Sequence, residues 1–216
     1  MRVVKHDNQH FALKVALRDH AAREASLSSL RVCESHGGMG RLDTACYLQA
    51  ETGLVVERDR ACVDALVRQR PTWRVYEGDA GRVFTAGLGA DIAWTMLDCN
   101  PYGAPWETLE GFFGSSRAFA PCMAVAVTDG SRQKQRLGGI IYGWEPWQER
   151  YGKSLWTLYL RCCQERFAQV SAQAGYTPTW WHGQYGGQSG QMTYFAAVLR
   201  QPEDRHTDAV LPAQAR

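Results

Sequence analysis

The sequence predicts an α/β fold: a mostly parallel sheet with helices on both faces, finished by an antiparallel hairpin near the C-terminus. Three observations carry this reading. Short apolar runs alternate with helix-forming stretches from residue 30 to residue 128, as parallel strands joined by helical crossovers do. The runs are nearly continuous in apolar residues, and strands covered on both faces need not alternate. Two last runs bracket a glycine-rich turn.

The elements follow in order. Residues 1–9 are polar and expected to be loose, and 11–26 read as a helix carrying Phe11, Val15 and Leu17 among strong helix formers. Residues 30–34 (LRVCE) form a short strand that enters Ser35-His36-Gly37-Gly38-Met39-Gly40, and a helix is expected over 39–49. A strand over 53–57 follows, with Asp59 placed to cap a helix that runs through Gln69. The strand over 73–76 ends at Glu77-Gly78-Asp79 and gives way to a short helix over 80–86. Residues 91–97 (DIAWTML) read as a long strand ending at Asp98-Cys99-Asn100-Pro101-Tyr102-Gly103. A helix over 105–118 and a strand over 122–128 complete the alternation.

After Thr128 the pattern changes. Residues 129–152 are rich in glycine, basic and aromatic residues, which predicts a long loop or lid. A helix over 153–175 carries Trp156, Tyr159, Cys163, Phe167 and Val170 at helical spacing, with Gly175 ending it. The runs 177–182 and 192–200 flank GQYGGQSG as a hairpin, and 201–216 is expected to be a flexible tail. The organisation is thus a helical segment over 1–29, one domain over 30–200 and the tail.

Composition bounds the function. A chain of 216 residues supports one domain with a sizeable core. With 45% hydrophobic and 21% charged residues, disorder and collagen-like repeats are excluded. No run has the length of a membrane-spanning helix, and the first residues lack the apolar core and cleavage site of a secretory signal, so no membrane partner is expected. A net charge of +2 neither announces nor excludes nucleic acid, because a local basic patch decides that. The seven cysteines are scattered without a C-x-x-C pair, which points to reduced thiols and a cytoplasmic location. The six histidines are scattered too, and no metal is expected.

Four successive strands end in acidic or glycine residues: Glu34 with its glycines, Glu57, Asp79, and Asp98 with Asn100. In open α/β sheets the ligand crevice lies outside these carboxyl ends. Neither the dinucleotide fingerprint nor the phosphate-binding G-K-S/T ending is present, which favours a nucleoside ligand without a pyrophosphate. Taken singly, Glu57 reads equally as a solvated strand-end acid and Asp79 equally as a helix cap.

On these residues the chain resembles the class I S-adenosylmethionine-dependent methyltransferases over about 30–200. Glu34-Ser-His-Gly-Gly-Met-Gly40 is similar to their first motif, with Gly38 and Gly40 at the later glycines and His36 in place of the first. The resemblance implies a Rossmann-like fold of six parallel strands and one antiparallel, with S-adenosylmethionine as cofactor. It places Glu34, His36, Gly38 and Gly40 around that cofactor. Glu57 would hold the ribose diol, Asp79 with Ala80 the adenine, and Asp98 either the amino group of the cofactor or only the turn. Asn100-Pro101-Tyr102-Gly103 is similar to the motif of tRNA guanine N2-dimethyltransferases and other amino-group methyltransferases of nucleic acids.

That chemistry suits these residue types. An aryl amine is a poor nucleophile, and acceptors at Asn100 and the Pro101 carbonyl would favour a pyramidal nitrogen aimed at the methyl group. Tyr102 offers a stacking face worth about 1–3 kcal/mol. Asn, Pro and Gly are also ordinary turn residues, which is the plainer reading of the segment. Arg132, Lys134, Trp144 and Trp147 are candidate substrate residues, since cations interleaved with aromatic faces suit RNA or DNA; a solvated loop over core tryptophans is the plainer alternative. The expected function is methyl transfer to an exocyclic amino nitrogen of a nucleic-acid base. Its rivals are a small-molecule N-methyltransferase and a cofactor-binding module without catalysis.

Overall fold

The computed structural model describes residues 10–137, 139, 141 and 143–202, so the expected loose start and nearly all of the tail lie outside the described residues. Helix α1 (Phe11–Glu24) comes first. Strand β1 (Arg31–Ser35) leads to α2 (Arg41–Cys46), and β2 (Thr52–Glu57) to α3 (Arg60–Gln69). Next come β3 (Arg74–Glu77) with α4 (Ala80–Thr85), and β4 (Trp94–Cys99) with α5 (Trp106–Phe113). Strand β5 (Phe119–Asp129) is followed by α6 (Ser131–Arg136), α7 (Glu145–Tyr151) and α8 (Leu155–Ala172). Strands β6 (Thr177–Gly186) and β7 (Met192–Arg200) close the chain.

The seven strands form one sheet in the order β3-β2-β1-β4-β5-β7-β6. Strands β1 to β5 pair in parallel, and β7 is antiparallel to both β5 and β6. Six strands therefore share one direction and β7 opposes them, the arrangement the resemblance implies. Side chains alternate between the faces. Val32, Met96, Ala124, Ala126, Ala196 and Val198 lie on one face with Leu17 and Ala21 of α1. The three alanines leave room for α1 to lie close against β5 and β7. The opposite face takes the bulk: Phe84, Trp106, Phe112, Phe113, Trp144, Phe167 and Phe195 pack there under α4, α5 and α8.

Several boundaries differ from expectation. The helix expected over 39–49 is only Arg41–Cys46, because Gly40 is left-handed and belongs to the preceding turn. Strand β4 starts at Trp94, not at 91. Asp91 instead receives the Arg74 guanidinium at 2.9 Å, and the Trp94 indole donates to the Gly89 carbonyl. The helix expected over 105–118 ends at Phe113, and Phe119 already belongs to β5. The lid expected over 129–152 contains two helices, α6 and α7, in its described part. Buried Ile141 and Trp144 anchor the segment to the core, which a solvated loop would lack. Among the described residues no helix is long and apolar enough to cross a membrane.

Candidate active site

The strand order reverses between β1 and β4, so a crevice opens outside their carboxyl ends. There Glu34 lies level with Asp98 and Ser35 with Cys99, and the Asn100 amide donates to the Ser35 carbonyl. The motif after β4 thus sits directly beside the glycine turn after β1.

That turn has left-handed residues at alternate positions: His36 (φ 64°), Gly38 (φ 55°) and Gly40 (φ 71°). His36 adopts the backbone conformation that a glycine would take at no cost; histidine is among the side chains enriched there. The His36 amide donates to the Val56 carbonyl, and its Nδ1 lies 3.0 Å from Ser35 Oγ. Burial pushes the imidazole pKa below 6.5, so His36 is neutral at physiological pH. A Cβ on Gly37 would press to 2.5 Å from Val55, whereas one on Gly38 would meet nothing within 4 Å. Gly38 therefore faces open space.

Glu57 ties this turn to β2. Its Oε2 accepts from the Gly38 amide at 2.8 Å, and its Oε1 from the Arg58 and Asp59 amides at 2.7 and 2.9 Å. A carboxylate has about four acceptor positions, so capacity remains for a ligand hydroxyl. Asp79 caps α4 by accepting from the Arg82 amide at 3.2 Å, with its side chain in solvent and Ala80 buried behind it.

Beneath the turn the carboxyls of Glu34 and Asp43 are buried against each other. None of their four oxygens has a hydrogen bond of full geometry to another group. Burial, followed by the Asp43 charge, holds the Glu34 pKa well above its ordinary value; burial raises Asp43 too.

Of the two roles expected for Asp98, the cofactor's amino group or only the turn, its fully buried side chain takes up the second. The Arg18 side chain grips it with Nε at 2.6 Å and with Nη2, and the Tyr47 hydroxyl donates to the same carboxylate at 2.7 Å. Both oxygens are used by protein groups, so Asp98 braces the motif. Burial alone would lower the Arg18 pKa, but the adjacent Asp98 charge raises it. Asn100 is half-buried, and its Oδ1 accepts from Lys14 Nζ at 3.0 Å. Pro101 is buried, while Tyr102 is 77% exposed at the mouth of the crevice. The Gly103 carbonyl accepts from the Gly130 amide, which pins the motif to the end of β5.

Three of the four expected substrate residues are turned toward the interior. Arg132 is buried between the rings of Trp156 and Tyr185, at 3.6 and 3.7 Å, and donates to the Gly190 and Trp156 carbonyls. Trp144 is fully buried and stacks on Tyr159 with centroids 4.6 Å apart. Trp147 is half-buried against Trp144 and Arg166. These three serve the core because the aromatic run needs cations and rings to fill it. Lys134 is exposed on α6.

Lys14, Arg18, Asp43 and Tyr47 were not singled out from the sequence, yet they make the floor of the site. A signal existed for two of them. Lys14 and Arg18 are spaced i, i+4 beside buried Leu17, and a buried arginine requires an acidic partner.

No protein-family model and no curated protein matches the sequence. Solved structures do resemble the fold. Trm1 from Pyrococcus horikoshii, solved with S-adenosyl-L-methionine, is similar over 88% of this chain with a TM-score of 0.64 and 12% identity; the chain spans 55% of that protein. The N-methyltransferase NodS from Bradyrhizobium japonicum, solved with S-adenosyl-L-homocysteine, is similar over 92% of this chain and 90% of its own, with a TM-score of 0.61 and 10% identity. TYW2 from M. jannaschii, in complex with AdoMet, has a TM-score of 0.54, 11% identity, and coverage of 86% and 76%. The fold is the Rossmann-like fold of class I methyltransferases.

Proposed function

We propose that the chain is an S-adenosylmethionine-dependent methyltransferase that acts on an exocyclic amino nitrogen of a nucleic-acid base. The observation that carries the reading is the placement of Asn100-Pro101-Tyr102 at the switch point, one strand from the turn of His36, Gly38 and Gly40.

The residues present fit the cofactor. Open space over Gly38 admits an adenosyl group, Glu57 retains an acceptor position for one ribose hydroxyl, and Asp79 is an exposed acceptor at the end of β3 for an adenine amino group. When bound, S-adenosylmethionine supplies an electrophilic methyl group. Asn100 Oδ1 and the Pro101 carbonyl accept from the N–H groups of the substrate amine and turn its lone pair toward that methyl. Tyr102 stacks on the base. Asn100 is no base at neutral pH, so the proton leaves the nitrogen after transfer, when the amine has become cationic and acidic. Positioning of two reactants carries most of the acceleration.

A second reading has its own support. The likeness to NodS takes in 92% of this chain and 90% of NodS, whereas only 55% of Trm1 is spanned, and the side chains of Arg132 and Trp144 are withdrawn into the core. A small-molecule amine is therefore the rival substrate. Transfer of tritiated methyl onto total RNA, DNA and metabolite pools, followed by nucleoside mass spectrometry, tests the choice. Label on an amino-methylated nucleoside supports the first reading; label confined to metabolites replaces it with the second.

A further inference from the structure

Helix α1 precedes the stretch whose motifs resemble those of methyltransferases, yet it delivers two cations to the motif after β4. Arg18 binds Asp98, and Lys14 Nζ donates to Asn100 Oδ1 at 3.0 Å. The spacing explains how both contacts form at once. Four residues of helix advance about 6 Å, and two residues of extended chain advance about 6.6 Å. Positions 14 and 18 of an antiparallel helix thus fall over positions 100 and 98. The Arg18 Nη1 also donates to the Lys14 carbonyl at 2.8 Å, which links the two turns.

We infer that Lys14 is a positioning residue for methyl transfer, acting through Asn100. The inference rests on the function proposed above. An ammonium donates only, so it fixes which end of the Asn100 carboxamide is which: Oδ1 stays toward Lys14 and the crevice floor. Without it the carboxamide can turn over and present its NH2 group to the substrate amine, a donor facing a donor. The ammonium also sits 5.7 Å from the ring of Tyr194, which limits where it can move. The second lone pair of Oδ1 then receives the substrate N–H at a defined angle.

The test is a double-mutant cycle in single-turnover methyl transfer with wild type, Lys14→Met, Asn100→Ala and the double variant. Cofactor affinity and melting temperature are measured on each. Lys14→Met is expected to slow transfer by about 10- to 100-fold, the size of a misplaced reacting group, with cofactor affinity unchanged. In the Asn100→Ala background the same change should add nothing. Lys14→Arg, which keeps a cationic donor, should recover much of the rate. A separate readout needs no turnover: the side-chain amide signal of Asn100 in ¹⁵N-labelled protein should shift or broaden in Lys14→Met and stay near its wild-type position in Lys14→Arg. Equal rates in wild type and Lys14→Met, or additive losses in the cycle, overturn the inference while leaving the proposed function standing. Absence of transfer by wild type that binds the cofactor overturns both.

Discussion

Arg18 of the N-terminal helix and Asp98 at the end of the fourth strand form a two-pronged ion pair, 80 positions apart in sequence and sealed from solvent at 2% and 0% exposure. Breaking such a pair from one side leaves a buried charge without its partner. Arg18→Met is therefore expected to cost about 3–5 kcal/mol of stability. Urea unfolding reads this directly, and Arg18→Met combined with Asp98→Asn should recover a good part of the loss. Wild-type stability in the single variant would show that Tyr47 alone suffices to hold Asp98.

The buried carboxyl pair predicts a pH dependence of definite sign. Burial, and next the Asp43 charge, raises Glu34 well above 4.5 in the folded chain, so the folded state holds a proton that the unfolded state has released. Stability contributed by that proton is complete below about 4.5, the ordinary glutamate range, and is lost as pH rises through the raised value. Glu34→Gln should flatten the fall in melting temperature over this window and leave the variant more stable above it. Parallel pH profiles for variant and wild type would show that Glu34 does not carry this pH dependence.

How much of this was legible in the sequence differs by element. Asp59 was expected to cap a helix ending at Gln69, and it does so by accepting from the Ala61 and Cys62 amides. Local chemistry decides that cap within four residues. The parallel strands were legible because covered strands such as β2 and β4 are apolar nearly throughout, and the closing hairpin because a glycine-rich turn separates its two runs. The fate of Arg132 and Trp144 was not. A cation beside a tryptophan reads the same whether the pair faces solvent or fills a core, and only Trp156, Tyr185 and Tyr159 from distant segments decide it. Lys14 and Arg18 were passed over because their acceptors lie some 80 residues away.

The withdrawn aromatic cluster separates structural from binding roles. Trp144→Ala should cost about 3–5 kcal/mol of stability, as truncation of buried aromatics does. Lys134→Ala should leave stability nearly unchanged and, if nucleic acid crosses α6, reduce the salt dependence of binding by about one unit of slope. Fluorescence unfolding and a salt titration of RNA or DNA binding measure the two effects. A stable Trp144→Ala protein with impaired nucleic-acid binding would reverse the assignment.

Glu57 braces the Gly38 amide, and in the proposed function its remaining acceptor position takes a ribose hydroxyl. Glu57→Ala should weaken binding of S-adenosylmethionine and of its demethylated product by about 1.5–3 kcal/mol, the size of a hydrogen bond to a charged group. In wild type, ligand at 100 times its dissociation constant should stabilise the fold by about 2.7 kcal/mol. Calorimetry and thermal shift read both quantities. Unaltered affinity in the variant would place the ribose elsewhere.

Single-turnover transfer by Asn100→Ala, with cofactor binding followed in the same samples, decides whether Asn100-Pro101-Tyr102 forms the proposed methyl-transfer site. Removal of a preorganised polar group at the reacting centre should cost about 2.7–4 kcal/mol of transition-state stabilisation. Cofactor affinity should stay near wild type, because the proposed adenosine contacts fall to Glu57 and Asp79. Transfer at the wild-type rate by Asn100→Ala would contradict the account and leave the segment as no more than the turn that ends the fourth strand.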